Sequence, residues 1–323
     1  MKRKTLGKSN LEVSQIGHGT WGMGGMWGPR DDRGAIEALK AGFELGINFV
    51  DTATVYGNGH SEELIAVALK ESKAKGIQVA SKVPPKNYQW PGRSADVREA
   101  FPADWIIENT EASLKRLRRE QLELQQLHVW HDGWLDQGDW QEAVAKLKEQ
   151  GKIQSFGVSI NDHDPESALK IVESGIVDVV QVIYNIFDQR PEEKLFPLCL
   201  KNDVGVIVRV PFDEGSLTGR LKQGMTFHKK DWRKNYFTPE HLQETLSRVE
   251  ALKHELKEGE SLSDLALKFC LAHPAVSTVI PGMRSIPNVK KNGAVLDQEP
   301  LSLARLEALR SHAWPRNFYP SHG

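Results

Sequence analysis

Apolar and polar positions along the chain switch repeatedly between two periods. The runs INFVDT, IQVASK, KIQSFGVS, IVDVVQVI and VIVRVP are short, continuous and rich in Val, Ile and Phe, as strands covered on both faces are. ELQQLHV, ending near Val129, and VSTVIPG, ending at Gly282, extend the set; VSQIGHGT opens it, after a hairpin expected around Gly7 to Asn10. Between these runs apolar residues recur three and four apart, as in Ile36, Leu39 and Phe43, in Leu64, Ala68 and Leu69, and in Ile107, Thr110, Leu114 and Leu117. Each set lies on one face of a helix. Helical patterns stop at Gly46, Gly76, Gly151, Gly175 and Gly205, which read as C-cap glycines feeding strands. Ser61 before Glu62 and Glu63, and Ser261 three residues before Asp264, read as N-caps.

Strand then helix, repeated about eight times without a linker-like tract, is the order of a parallel α/β fold. One domain over residues 1–323 is expected. An open doubly wound sheet and a closed barrel share this order, but only in a barrel does every strand's C-terminal end reach one site. Here the strand ends carry Asp51, Lys82, His128, Ser159, Gln181 and Arg209, followed by the turn Pro281 to Arg284. That convergence predicts an α/β (β/α)8 TIM barrel with a short N-terminal β-hairpin and an extra C-terminal helix.

Composition narrows the function. Lys and Arg number 42 against 43 Asp and Glu, a formal charge of −1, so no broad basic field draws the chain to nucleic acid or anionic lipid. No run approaches the ~18 apolar residues of a membrane span, and the basic start MKRKTLGKSNLEV has no apolar stretch behind it. A cytoplasmic protein is expected. Cys199 and Cys270, both in apolar helical segments, fit buried thiols better than a disulfide or a metal site. His128 and His131 form H-x-x-H, but with no third ligand in view, so no metal is assigned.

Gly17, Gly19 and Gly22 satisfy G-x-G-x-x-G, the dinucleotide fingerprint, yet no helix pattern opens on the third glycine. The turn-rich string MGGMWGPRDD follows instead. The motif reads as a loop at the barrel mouth, and Trp21, Trp27, Trp90 and Trp130 suggest an aromatic-lined pocket.

Carbonyl reduction needs a hydride donor, a proton donor and positive potential where charge develops on oxygen. Tyr56 can donate the proton if an ammonium draws its pKa from about 10 toward neutrality. Lys82 can supply that charge, Asp51 can hold the lysine, and His128 can direct the carbonyl oxygen. At these residues the chain resembles the aldo-keto reductase family: LGINFVDTATVYGNGHSE is similar to its first signature, with Asp51 and Tyr56, while VASK carries the family's lysine as Lys82 and LQQLHVW its histidine as His128. The resemblance implies an oxidoreductase with catalytic Asp51, Tyr56, Lys82 and His128. It further implies NADP(H) bound across the barrel mouth without a Rossmann domain, and a small-molecule carbonyl substrate.

The same resemblance implies cofactor contacts from Gly19, Thr20 and Trp21, from Asp51, and from Ser159 and Gln181 at the nicotinamide carboxamide. PFDEGSLTG resembles the loop over the pyrophosphate, giving Pro211, Phe212, Gly215, Leu217 and Gly219. IPGMRS resembles the 2′-phosphate pocket, giving Gly282 and Arg284, with Asn288 and Asn292 behind them. Two departures stand out. Ile160 separates Ser159 from Asn161, where the family has Asn directly after Ser, so either Ile160 or Asn161 completes the carboxamide site, with Asn161 counted among the expected cofactor contacts; and Arg209 stands where many members stack a tyrosine on the nicotinamide. A guanidinium can also stack, and it would favour the neutral reduced ring. The basic stretch HKKDWRK, His228 to Lys234, reads as a solvated loop or one that closes over the cofactor. Two other functions compete: a Schiff-base aldolase through Lys82, disfavoured by the adjacent Asp51, and a non-catalytic NADP(H)-binding regulatory subunit, which the complete tetrad argues against.

Overall fold

The computed structural model describes residues 1–25, 27–92 and 96–319. A hairpin of β1 (Arg3–Thr5) and β2 (Glu12–Ser14) precedes eight strands in parallel order: β3 (His18–Gly19), β4 (Phe49–Asp51), β5 (Gln78–Val83), β6 (Leu122–His128), β7 (Ile153–Ser159), β8 (Val179–Ile183), β9 (Gly205–Arg209) and β10 (Val276–Val279). The two ends of this sheet meet. Ile16 bridges Val279 and Gly19 bridges Gly282, and the Gly17 N–H donates to the Val279 carbonyl at 2.8 Å. Glycine is required at this seam, because a Cβ on Gly19 would stand 2.5 Å from the Ile280 carbonyl oxygen.

A helix follows each strand onto the outside: Asp32–Glu44, His60–Ser72, Ala103–Leu117, Trp140–Glu149, Leu169–Glu173, Leu195–Lys201, Leu262–Ala272 and Ile286–Ala294. Pro239–Leu252 is an insertion after β9, and Leu303–Arg310 is the expected extra C-terminal helix. This is the (β/α)8 barrel that the convergent strand ends imply.

Side-chain parity builds the interior in layers. Leu6, Leu11 and Val13 of the hairpin pack with Phe49, Ala80, Leu124, Val179, Ile207 and Ile280, closing the lower end with an apolar plug. Two residues further along β4, β5, β6, β8 and β9, the same inward parity falls on Asp51, Lys82, Gln126, Gln181 and Arg209, with Ser159 at the end of β7. The floor is apolar and the mouth is polar. Cys199 and Cys270 are free and buried, and among the described residues no helix is long and apolar enough to cross a membrane.

Several local expectations change. VSQIGHGT is divided, with Val13 and Ser14 pairing in the hairpin and only His18–Gly19 forming a barrel strand. Gly46, Gly151 and Gly175 follow helix ends with positive φ, but Lys73 takes that role before Gly76, and Gly205 begins β9 against the Leu6 backbone. Ser261 forms the capping box with Asp264. Ser61 does not cap its helix, which starts at His60 after Gly59; its hydroxyl is spent nearer the active end.

Candidate active site

The barrel mouth is organised around the Lys82 ammonium, whose side chain is fully buried. It donates to Asp51 Oδ1 at 2.6 Å and to the Thr52 carbonyl at 2.8 Å, and stands 3.4 Å from the Tyr56 hydroxyl. The remaining Asp51 oxygen accepts from Gln181 Nε2 at 2.8 Å. Asp51, Tyr56, Lys82 and Gln181 are therefore one hydrogen-bonded cluster. His128 adjoins it, its ring centroid 6.0 Å from that of Tyr56.

Each member is braced from behind. Thr20 donates to the Asp51 carbonyl at 2.8 Å, Ser61 donates to Thr20 at 2.8 Å, and Thr52 donates to Ser61 at 3.0 Å, so the β3 and β4 ends and the next helix share a line of buried hydroxyls. The turn carrying Tyr56 is clamped by Gly24, whose absent Cβ leaves room for the Gly57 nitrogen 2.6 Å from that position. Glu62 takes the Ser81 hydroxyl and the Arg116 guanidinium, each at 2.6 Å, tying this helix to β5. Val129 and Val210, immediately after His128 and Arg209, both have positive φ. β-Branched residues rarely adopt that conformation, and such strain gathers at functional sites.

Electrostatics follow from burial. The His128 pKa is pushed well below its ordinary value by desolvation and then by the charges of Lys82 and Arg209, so the ring is neutral. Burial also pushes the Tyr56 phenol above its ordinary value, with Lys82 and Arg209 pulling it back and Asp51 pushing it up. The expectation of a phenol brought toward neutrality is corrected here, since desolvation outweighs the ammonium. The protonated phenol is the form that donates, and Lys82 is placed to lower the cost of the phenolate it leaves.

The other expected residues divide. Ser159 lies 3.4 Å from Gln181 Oε1. Asn161 is turned away from that pair, accepting from the Gly92 N–H at 2.8 Å and donating to its carbonyl at 3.0 Å, and so anchors the loop bearing Trp90. Trp90 stands edge-on to His128 with ring centroids 4.7 Å apart, and Trp21 lies 6.0 Å from Trp27 and 5.3 Å from Trp232. Trp130 is not at the mouth; it is buried against Trp134 and Trp140. His131 accepts from the Gly133 N–H in its own turn.

At the far side, Arg284 donates to the Trp27 carbonyl at 3.1 Å and Asn288 accepts from Arg220 at 3.2 Å, while Asn292 is buried and Gly282 sits at the seam. The stretch His228 to Lys234 folds down on the mouth, with Arg233 paired to Asp231 and 4.0 Å above the Trp27 ring. Pro211, Phe212 and Leu217 line the segment after β9, in which Asp213, Glu214, Gly215 and Gly219 all have positive φ. The C-terminal tail holds this turn: Arg316 pairs with Asp213 at 2.5 Å, Tyr319 bonds Glu214, and Tyr319 stacks on Trp232. Asp162, Arg220, Glu214 and the tail were not singled out from sequence. Their partners are remote in the chain, and no local pattern marks them.

Residues 15–313 match the Aldo/keto reductase family. The chain belongs to that family. Aldo-keto reductase YhdN of Bacillus subtilis is 31% identical over 88% of this chain and 85% of its own length. The NADH-specific methylglyoxal reductase of Escherichia coli is 26% identical over 92% of this chain and 94% of its own. The holo form of an aldo-keto reductase from Bacillus halodurans superposes with a TM-score of 0.77 at 29% identity, each chain being covered completely. These relatives are oxidoreductases.

Glu214 supplies a test of the mouth's packing. Burial pushes its carboxyl up to about 8, against the pull of the Tyr319 hydroxyl and with Asp213 adding to the rise. A carboxyl whose folded pKa exceeds its unfolded one contributes stability at acid pH, lost as the pH climbs from the ordinary carboxylate range through about 8. Glu214→Gln removes that loss. Thermal melts from about pH 5 to pH 9 should show the variant gaining several degrees on the wild type as pH rises; parallel curves contradict the assignment.

Proposed function

We propose that the chain reduces an aldehyde or ketone to an alcohol with NADPH, with Tyr56 as the general acid. The observation carrying this reading is the Tyr56 hydroxyl 3.4 Å from a buried ammonium that Asp51 fixes, with neutral His128 beside it. NADPH, when bound, supplies the hydride. Tyr56 holds the proton at its hydroxyl and delivers it to the oxygen of the former carbonyl. Lys82 stabilises the phenolate that remains, and Asp51 keeps Lys82 charged and aimed. His128 orients the carbonyl oxygen, and Trp90 and Trp21 exclude water around it.

The mouth's donors suit a nicotinamide dinucleotide. Ser159 and Gln181 are buried together, and the Arg209 Nε is buried without a hydrogen-bond partner among the described residues. Asp213 to Gly219 form the strap for the pyrophosphate, with Pro211, Phe212, Gly215, Leu217 and Gly219 as its contacts. Gly19, Thr20 and Trp21 line the opposite wall. Arg284, with Arg220 held at Asn288 nearby and Asn292 behind, makes the 2′-phosphate pocket more cationic than the sequence alone suggests. Although one relative is described as NADH-specific, these two guanidinium groups support NADPH here. The reading places the enzyme in the cytoplasm, acting on a small molecule.

An aldolase through Lys82 is disfavoured, because an ammonium nitrogen engaged with Asp51, Thr52 and Tyr56 has no free lone pair for a carbonyl carbon. The complete tetrad likewise favours turnover over a purely regulatory role.

Tyr56→Phe keeps the ring and removes the transferable proton. Steady-state kinetics on a simple aldehyde should show turnover falling by at least about a hundredfold with NADPH affinity unchanged. A variant retaining a tenth of the wild-type kcat excludes Tyr56 as the acid. Arg284→Ala should weaken NADPH by roughly ten- to more than a hundredfold, as loss of a charge-assisted hydrogen bond of about 1.5 to 3 kcal/mol implies, and leave NADH nearly unchanged. Fluorescence titrations with both cofactors measure this, and equal losses for the two remove Arg284 from the 2′-phosphate site.

A further inference from the structure

Arg209 leaves the end of β9 and reaches across β8 to the residues that follow β7. Its Nη2 donates to the Ile160 carbonyl at 2.8 Å, and its Nη1 pairs with Asp162 Oδ1 at 2.8 Å. Ile160 directly follows Ser159, so both contacts pin the guanidinium beside the Ser159 and Gln181 pair. The sequence alone makes Arg209 a bare cation next to the cofactor, favouring the neutral reduced ring. The structure supplies it with a counter-ion.

The surrounding charges make that counter-ion matter. Lys82 and Asp51 neutralise one another, and burial leaves His128 uncharged. Glu214, which also feels Arg209, has a carboxyl with raised proton affinity, and Tyr319 holds its proton more tightly than usual. Asp162 is the ion-pair partner of Arg209 within this set. With it, the nicotinamide end of the mouth is close to neutral; without its charge, an uncompensated guanidinium faces that end at short range and reduced dielectric.

We propose that Asp162 is a positioning residue that locks Arg209 across the mouth and cancels its charge, so that the site holds cationic oxidised and neutral reduced nicotinamide with comparable affinity. The proposal rests on the reading that Ser159, Gln181 and Arg209 face the nicotinamide. Its consequence is a site that neither cofactor form saturates preferentially, so that neither direction of hydride transfer is slowed by tight binding of its product cofactor. The break in the serine and asparagine pattern gains a meaning: Asn161 is committed to the Trp90 loop, and Asp162 to Arg209.

The test is a pair of tryptophan-fluorescence titrations, with NADP+ and with NADPH, on wild type, Asp162→Asn and Asp162→Glu. In Asp162→Asn the ratio of Kd for NADP+ to Kd for NADPH should rise by at least about fivefold, carried by weaker NADP+ binding. Asp162→Glu, which restores the charge, should bring the ratio back toward wild type. A purely structural role weakens both cofactors equally and leaves the ratio unmoved. That result overturns the proposal while leaving the cofactor site standing; failure of wild type to bind either cofactor overturns the proposal and the reading beneath it.

Discussion

Two opposite charges, Lys82 and Asp51, are held out of water at the mouth of a barrel whose floor is apolar, with side chains 0% and 2% exposed. Desolvating both ions is expensive, and their attraction offsets it only if their remaining hydrogen-bonding positions are filled. The fold fills them from two strands, through the Thr52 carbonyl and Tyr56 on the turn after β4, and Gln181 on β8. The requirement that stabilises the pair therefore also assembles the reactive groups. Removing one partner does more than delete a contact, because it leaves the other charge buried alone.

Around this centre the mouth is closed by segments that carry little regular structure. The turn after β9 holds two acids in left-handed backbone, Asp213 and Glu214, and the C-terminal tail meets both through Arg316 and Tyr319. Trp232 joins the tail to Trp21 on the opposite loop. The rigid barrel sets the reacting groups, while aromatic stacking and ion pairs between distant segments set the walls. Loops on a fixed scaffold are where substrate preference is tuned.

Much of the barrel could be read from pattern. Strands buried on both faces give continuous apolar runs, and a polar residue breaking such a run at one end is conspicuous, which is why Asp51, Lys82, His128, Ser159, Gln181 and Arg209 were visible together. The capping box at Ser261 was equally local. What failed was whatever depends on partners far away in sequence. Ser61 looked like a cap but serves the hydroxyl line to Thr20 and Thr52, Trp130 looked like a pocket wall but fills the outer core, and Tyr56 was expected to acidify until burial was weighed against its lysine. Asp162, Arg220 and Glu214 gave no signal, since a charged residue free in solvent and a partnered one look alike in a string of letters.

The claim on which the account turns is that a single buried ammonium both organises the mouth and drives proton transfer. Lys82→Met, nearly equal in volume, tests it most directly when the pH profile of kcat/KM is measured beside the thermal melt. The account predicts a folded but destabilised protein whose activity is severely reduced at every pH, because Tyr56 loses the charge that stabilises its phenolate and Asp51 is stranded. A variant with the activity and pH profile of wild type would contradict it.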